Sequence, residues 1–148
     1  KSPFFRTQMP RKPRDVILSG VVGPGLVNMG NTCFFNAVVQ ALKAVKVFNE
    51  YFLELEEADF KHLGDSEDEK EGSIRNISLS RELMRLLTAM HNSERPLRPS
   101  ELYFALCRCF PRLGGFVQHD AQECLHLLLD RLHYEFKRSG NYPPPPLP

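Results

Sequence analysis

Five stretches of this sequence space their apolar residues three and four apart, and almost nothing alternates in twos, so the pattern predicts a mainly α-helical fold. A first helix is predicted from Thr32 or Cys33 to Val45, with Phe34, Val38, Ala41, Leu42 and Val45 on one stripe. Phe35 and Val39 widen that stripe, the mark of a helix buried on most faces. A second helix is predicted over Val47–Glu57, with Phe48, Tyr51, Phe52 and Leu55 inward. A third spans Ser78–His91 on Leu79, Leu83, Leu86, Leu87 and Met90. A fourth opens near Pro99, where proline suits the first helical turn, and reaches Cys109. The fifth runs from Asp120 to Lys137 on Ala121, Cys124, Leu125, Leu128, Leu132 and Phe136. Asp120 followed by Glu123 resembles a capping box, in which each side chain satisfies a free backbone donor at the helix start. Val16–Leu18 is a weak strand candidate.

The 148 residues suit one domain with a sizeable core. Residues 1–22 read as a basic, mobile arm, since Lys1, Arg6, Arg11, Lys12 and Arg14 precede any acidic residue. Residues 59–76 turn acidic around Asp65-Ser66-Glu67-Asp68-Glu69 and are expected to be a solvated loop. Residues 138–148 form a proline-rich tail suited to an extended conformation. With Lys1 rather than methionine first, both ends are expected to be cut points. A net charge of +1 gives no electrostatic case for nucleic acid or membrane as a partner. No apolar run is long enough to span a bilayer, and no secretory h-region opens the chain. Cys33, Cys107, Cys109 and Cys124 form no spaced framework. They read as reduced thiols of an intracellular protein, cytoplasmic or nuclear.

Cys33 follows a loop punctuated by Gly23, Gly25 and Gly30 and opens an apolar-faced helix. Helix N-termini carry free N–H groups and partial positive charge, which favour a thiolate. A thiolate there is able to attack a carbonyl carbon and form an acyl-enzyme. The same free amides, with a nearby carboxamide, are able to hold the developing oxyanion, and Asn28 and Asn31 are both candidates for that carboxamide. Gly25 and Gly30 would allow close approach of the backbone to a substrate. The competing reading of a lone cysteine is a small buried hydrophobe. Cys107, Cys109 and Cys124 fit that reading, being within predicted helices on or near apolar stripes.

The run Gly25-Leu26-Val27-Asn28-Met29-Gly30-Asn31-Thr32-Cys33-Phe34-Phe35-Asn36-Ala37-Val38-Val39-Gln40-Ala41-Leu42 closely resembles the cysteine box of the ubiquitin-specific proteases. A second block resembles that family in the expected order: Gly115-Phe116-Val117-Gln118-His119-Asp120-Ala121-Gln122-Glu123-Cys124-Leu125-His126-Leu127-Leu128-Leu129-Asp130. Cys124 there departs from the family's bulky apolar residue. The resemblance extends from about Gly23 to Phe136.

The resemblance implies the helical thumb half of a papain-like hand over residues 23–137, with the palm and fingers absent. It also implies that Cys33 is the nucleophile that attacks the carbonyl of ubiquitin's C-terminal glycine, and that Asn28 helps form the oxyanion hole. Asp120 is expected to line the channel for ubiquitin's cationic C-terminal tail, with Gln118 and Glu123 in that channel or its scaffold. For Asp120 the alternative is a plain helix cap, and the two roles are compatible. Gln40 is expected to be structural, and Asn36 to fasten the loop by hydrogen bonds. The family's histidine lies in a downstream G-H-Y-type motif, which none of His62, His91, His119, His126 and His133 matches. Leu132, rather than glycine, precedes His133-Tyr134. Little or no deubiquitinase activity is therefore expected of the isolated chain. Paired C-x-x-C zinc knuckles are missing, and Cys107-x-Cys109 is too closely spaced to replace them, so no metal or cofactor is implied. The expected partner is ubiquitin or a ubiquitinated protein. The alternative is a noncatalytic relative that binds ubiquitin or serves as a scaffold.

Overall fold

The computed structural model describes residues 23–63 and 78–139. The basic arm, the strand candidate at Val16–Leu18, the acidic centre Asp65–Glu69 and the proline run lie outside those residues. Within them the chain forms α1 (Cys33–Ala44), α2 (Lys46–Glu54), α3 (Leu79–Asn92), α4 (Ser100–Cys109) and α5 (Ala121–Ser139). Single 3-10 segments sit at Glu57–Leu63 and Pro111–Leu113. The fold is mainly α, and among the described residues extended pairing is confined to one parallel bridge between Leu26 and Leu97. Val27 N–H donates to the Leu97 carbonyl (2.8 Å) and Leu97 N–H to the Gly25 carbonyl (3.0 Å).

Three boundaries differ from the sequence expectation by two residues or more. α2 ends at Glu54 rather than Glu57, because Leu55 turns extended and the Asp59 carboxylate accepts the Glu56 N–H at 2.8 Å. The solvated loop expected from residue 59 is instead 3-10 helix through Leu63, and Phe60 is only 1% exposed. That aromatic anchor outweighs the acidic composition around it: Arg81 lies 5.9 Å over the Phe60 ring and donates to the Phe60 carbonyl at 3.0 Å. Glu57 is drawn onto the same surface by Arg85 at 2.6 Å. The rest of the expected loop, from residue 64, lies outside the described residues. Finally, α5 continues past Lys137 to Ser139, into the segment read as tail.

α3 packs against α2, α4 and α5, while α1 packs against α2 and α5. The shared core includes Phe35, Val39, Phe52, Leu83, Leu87, Met90, Leu106 and Leu128. Each such side chain contributes roughly 1.5–3 kcal/mol by leaving water. Edge-on aromatic contacts tie α2 to α5, with Phe136 5.6 Å from Tyr51 and 5.8 Å from Phe52.

A carboxylate is also buried inside this core. Glu135 of α5 is 2% exposed, and its carboxylate faces the start of α3. It accepts from the backbone N–H groups of Leu79 (3.0 Å) and Ser80 (2.9 Å) and from the hydroxyls of Ser78 and Ser80. Arg131, one turn earlier, supplies the countercharge at 2.8 Å. A helix N-terminus presents unsatisfied donors and partial positive charge, so a buried carboxylate is well placed there.

Burial also governs the thiols away from Cys33. Cys124 is fully buried, and desolvation, with smaller contributions from Cys107 and Glu123, pushes its thiol up to about 12. Burial likewise raises Cys107 and Cys109, and pushes the Tyr103 phenol up to about 12. In the alkaline range the unfolded chain therefore loses protons that the folded chain keeps, so stability falls as pH rises. The contribution of Cys124 is complete below the ordinary thiol range of about 8.5 and is lost between there and about pH 12. Urea midpoints measured across this window should fall for the wild type. Cys124→Val should flatten the fall by up to about 1.4 kcal/mol per pH unit. An unchanged slope in that variant would show that Cys124 ionises as freely folded as unfolded.

Candidate active site

Gly30 and Asn31 both adopt left-handed backbone, with φ of +109° and +51°, and deliver the chain into α1 at Cys33. Glycine tolerates this region without strain, and asparagine is among the few other residues that visit it readily. Inside the turn, the Asn28 Oδ1 accepts three hydrogen bonds: from Gly30 N–H (3.0 Å), Thr32 N–H (3.1 Å) and the Thr32 hydroxyl (3.1 Å). Thr32 is buried and also accepts the Met29 N–H at 3.0 Å. Asn28 is exposed, and for its remaining donor, Nδ2, no hydrogen-bond partner appears among the described residues.

α1 fastens the preceding segment along its own side. Asn36 Nδ2 donates to the carbonyls of Leu26 and Val27, both at 3.3 Å, and Gln40 Nε2 to the Pro24 carbonyl at 3.1 Å. Both therefore act as the sequence reading expects. Around Gly25 the space in front of the α-carbon is open, while Gly30 lies against Phe116. Cys33 is the exposed cysteine; Cys124 is buried, and Cys107 and Cys109 are partly so.

The second block meets this loop directly. Asn31 Nδ2 donates to the Phe116 carbonyl at 2.9 Å, so this carboxamide is already engaged. The His119 ring stands edge-on to Phe34, 5.2 Å between centroids. These contacts set the starts of α1 and α5 side by side, with Cys33 on one and the exposed Gln118 and Asp120 on the approach to the other. Asp120 does cap α5, but its Oδ1 accepts from Gln122 N–H (2.7 Å), and Glu123 pairs with Arg112 (3.0 Å). The expected reciprocal capping box is thus replaced by a cap and a separate ion pair, which tethers the Pro111–Leu113 segment to α5.

Among the described residues no hydrogen bond joins Cys33 to a histidine, and no cluster of three His, Cys, Asp or Glu side chains is arranged to hold a metal. The buried His119 Nε2 has no hydrogen-bond partner among the described residues. A cavity of about 300 Å³ lies between α3 and α4, lined by Arg81, Glu82, Glu101, Phe104 and Arg108 among others, and by none of the cysteine-block residues. No described helix is long and apolar enough to cross a membrane.

Sequence reasoning passed over three contributors to this arrangement. Thr32 had a visible signal, a hydroxyl at the residue before a helix. Gly115 before Phe116 marked a turn, though not its partner. Nothing local pointed to Arg112.

Comparison with known proteins agrees with the geometry. The family model described as ubiquitin carboxyl-terminal hydrolase matches residues 24–145. Human ubiquitin carboxyl-terminal hydrolase 3 is 32% identical over 129 residues, covering 83% of this chain and 25% of the relative. Ubiquitin carboxyl-terminal hydrolase 45 of Mus musculus is 39% identical over 118 residues, 75% of this chain and 14% of the relative. Ubiquitin carboxyl-terminal hydrolase 21 of Rattus norvegicus is 32% identical over 145 residues, 97% of this chain and 24% of the relative. The chain thus spans a quarter or less of the length of these relatives. The matched span takes in both sequence blocks and all five helices, and the chain belongs to the ubiquitin carboxyl-terminal hydrolase family, as a mainly helical part of its catalytic domain.

Proposed function

We propose that this chain supplies the nucleophile and the oxyanion site of a thiol-dependent deubiquitinase, which cleaves the peptide or isopeptide bond after ubiquitin's C-terminal glycine. The observation that carries the reading is an exposed thiol at the first residue of α1, with the donor end of the Asn28 carboxamide left open in the same turn.

In this mechanism the Cys33 thiolate attacks the glycine carbonyl carbon, and the carbonyl π pair moves onto oxygen. The Asn28 Nδ2 and the Cys33 backbone N–H hold that oxyanion. Collapse breaks the C–N bond, the amine leaves with a proton, and a thioester remains on Cys33 until water hydrolyses it. A histidine outside these 148 residues carries the protons, so the isolated chain is expected to turn over little. Asp120 and Gln118 contact the cationic tail of ubiquitin, where a carboxylate pairs well with guanidinium. Glu123, engaged with Arg112, serves the scaffold of that channel.

The test is to treat the complete protein carrying this chain with ubiquitin bearing a C-terminal electrophile and to map the adduct by mass spectrometry. One adduct on the Cys33 peptide, lost in Cys33→Ala, is expected. An adduct that survives Cys33→Ala, or none on the wild type, would overturn the reading. The 148-residue chain alone should be alkylated at Cys33 by iodoacetamide yet leave a ubiquitin reporter uncleaved.

A further inference from the structure

Among the described residues only two non-glycine positions have left-handed backbone, Asn31 (φ +51°) and Phe116 (φ +55°), and they are hydrogen-bonded to each other. Each follows a left-handed glycine, Gly30 and Gly115. The bond joins residues 85 apart in sequence, from the turn before Cys33 to the loop before Asp120. Left-handed backbone is unfavourable for a residue such as phenylalanine and persists only where its surroundings impose it. Here the surroundings are evident. The Phe116 ring packs on Tyr103 at 5.6 Å, its Cβ stands 3.8 Å from where a Cβ on Gly30 would be, and its carbonyl is held by the Asn31 amide.

Phe116 is still 41% exposed, so burial alone does not account for the conformation. What the strained pair does achieve is registration. Gly30–Asn31 carries the nucleophile two residues later, and Gly115–Phe116 carries Gln118 and Asp120 within four. Beyond the contacts of Gly30 with Phe116 and of Phe34 with His119, the Asn31–Phe116 bond directly ties the two loops.

We propose that Asn31 is a positioning residue for the reaction at Cys33. Its amide holds the loop bearing Gln118 and Asp120 at a fixed offset from the nucleophile, so that a substrate tail gripped by one loop is delivered to the thiol on the other. This rests on the roles assigned above to Cys33 and Asp120.

Two substitutions separate the bond from the backbone. Asn31→Gly keeps left-handed freedom and removes the amide. Asn31→Asp keeps the size and sets a carboxylate oxygen against the Phe116 carbonyl, where a donor stood. In the complete protein, kcat and KM for a ubiquitin C-terminal reporter are measured beside the rate of Cys33 alkylation by iodoacetamide. Both variants should lose on the order of tenfold to a hundredfold in kcat, as displacements near 1 Å do, with alkylation within about twofold of wild type. Wild-type kcat in either variant refutes the inference. So does a parallel fall in alkylation, which would make Asn31 a residue of general loop integrity. A wild-type protein that never cleaves the reporter overturns the reading of Cys33 itself, and this inference with it.

Discussion

Asn28→Asp is expected to lower kcat for a ubiquitin reporter by about 10²–10³-fold in the complete protein, with KM nearly unchanged. The substitution is chosen because Asn28 has two duties. Its Oδ1 gathers the Gly30 and Thr32 amides and the Thr32 hydroxyl, which shapes the turn. Its Nδ2 is the donor assigned to the oxyanion. Aspartate keeps an oxygen for the first duty and loses the donor needed for the second. It also places negative charge where negative charge develops. Asn28→Ala removes both functions, so it should reduce activity and also loosen the loop. Steady-state kinetics beside thermal melts distinguish the two effects. If Asn28→Asp melts with the wild type and still turns over at a comparable rate, Asn28 is a structural residue and the oxyanion is held elsewhere.

Glu135→Ala should destabilise the chain by about 3 kcal/mol or more, read as a lowered urea midpoint. The buried carboxylate satisfies two backbone donors and two hydroxyls at the head of α3 and neutralises Arg131. Without it, Leu79 and Ser80 keep desolvated N–H groups at the positive end of their helix, and Arg131 loses a partner. Glu135→Gln should fall between, since the carbonyl oxygen still accepts but the charge is gone. A loss under about 1 kcal/mol for Glu135→Ala would mean that water replaces the carboxylate at little expense.

Both predictions bear on what could be read before any coordinates. The five helices were legible because each buries a stripe that the 3.6-residue period announces. Cys33 and Asn28 stood out as candidates because chemistry and family resemblance converge on a short contiguous run. Glu135 was not. It stands beside Phe136 in sequence, on what periodicity treats as a helix flank, and its burial depends on donors 55 and 56 residues earlier. The helical turn at Glu57–Leu63 was hidden for the opposite reason, since acidic neighbours masked the single aromatic, Phe60, that anchors it. The Asn31–Phe116 bond was invisible from either end. Asn31 was read as a candidate for the oxyanion carboxamide and Phe116 as one residue of the second block, and only the fold makes them partners.

The carboxylate at the head of α3 has a consequence for how this chain tolerates change in length. α3 takes its starting point in part from α5, through Glu135, beside the cap that Ser78 provides by accepting the Arg81 N–H. On the other bank, Phe60 is pinned beneath Arg81, so the exit from Glu57–Leu63 is also fixed by α3. The described chain on both sides of the interval between Leu63 and Ser78 is thus held by contacts to α3 and α5. Each doubling of a flexible connecting segment costs only about 0.6 kcal/mol in loop closure. Residues added between Leu63 and Ser78 are therefore expected to leave Cys33 and the loops that flank it in place.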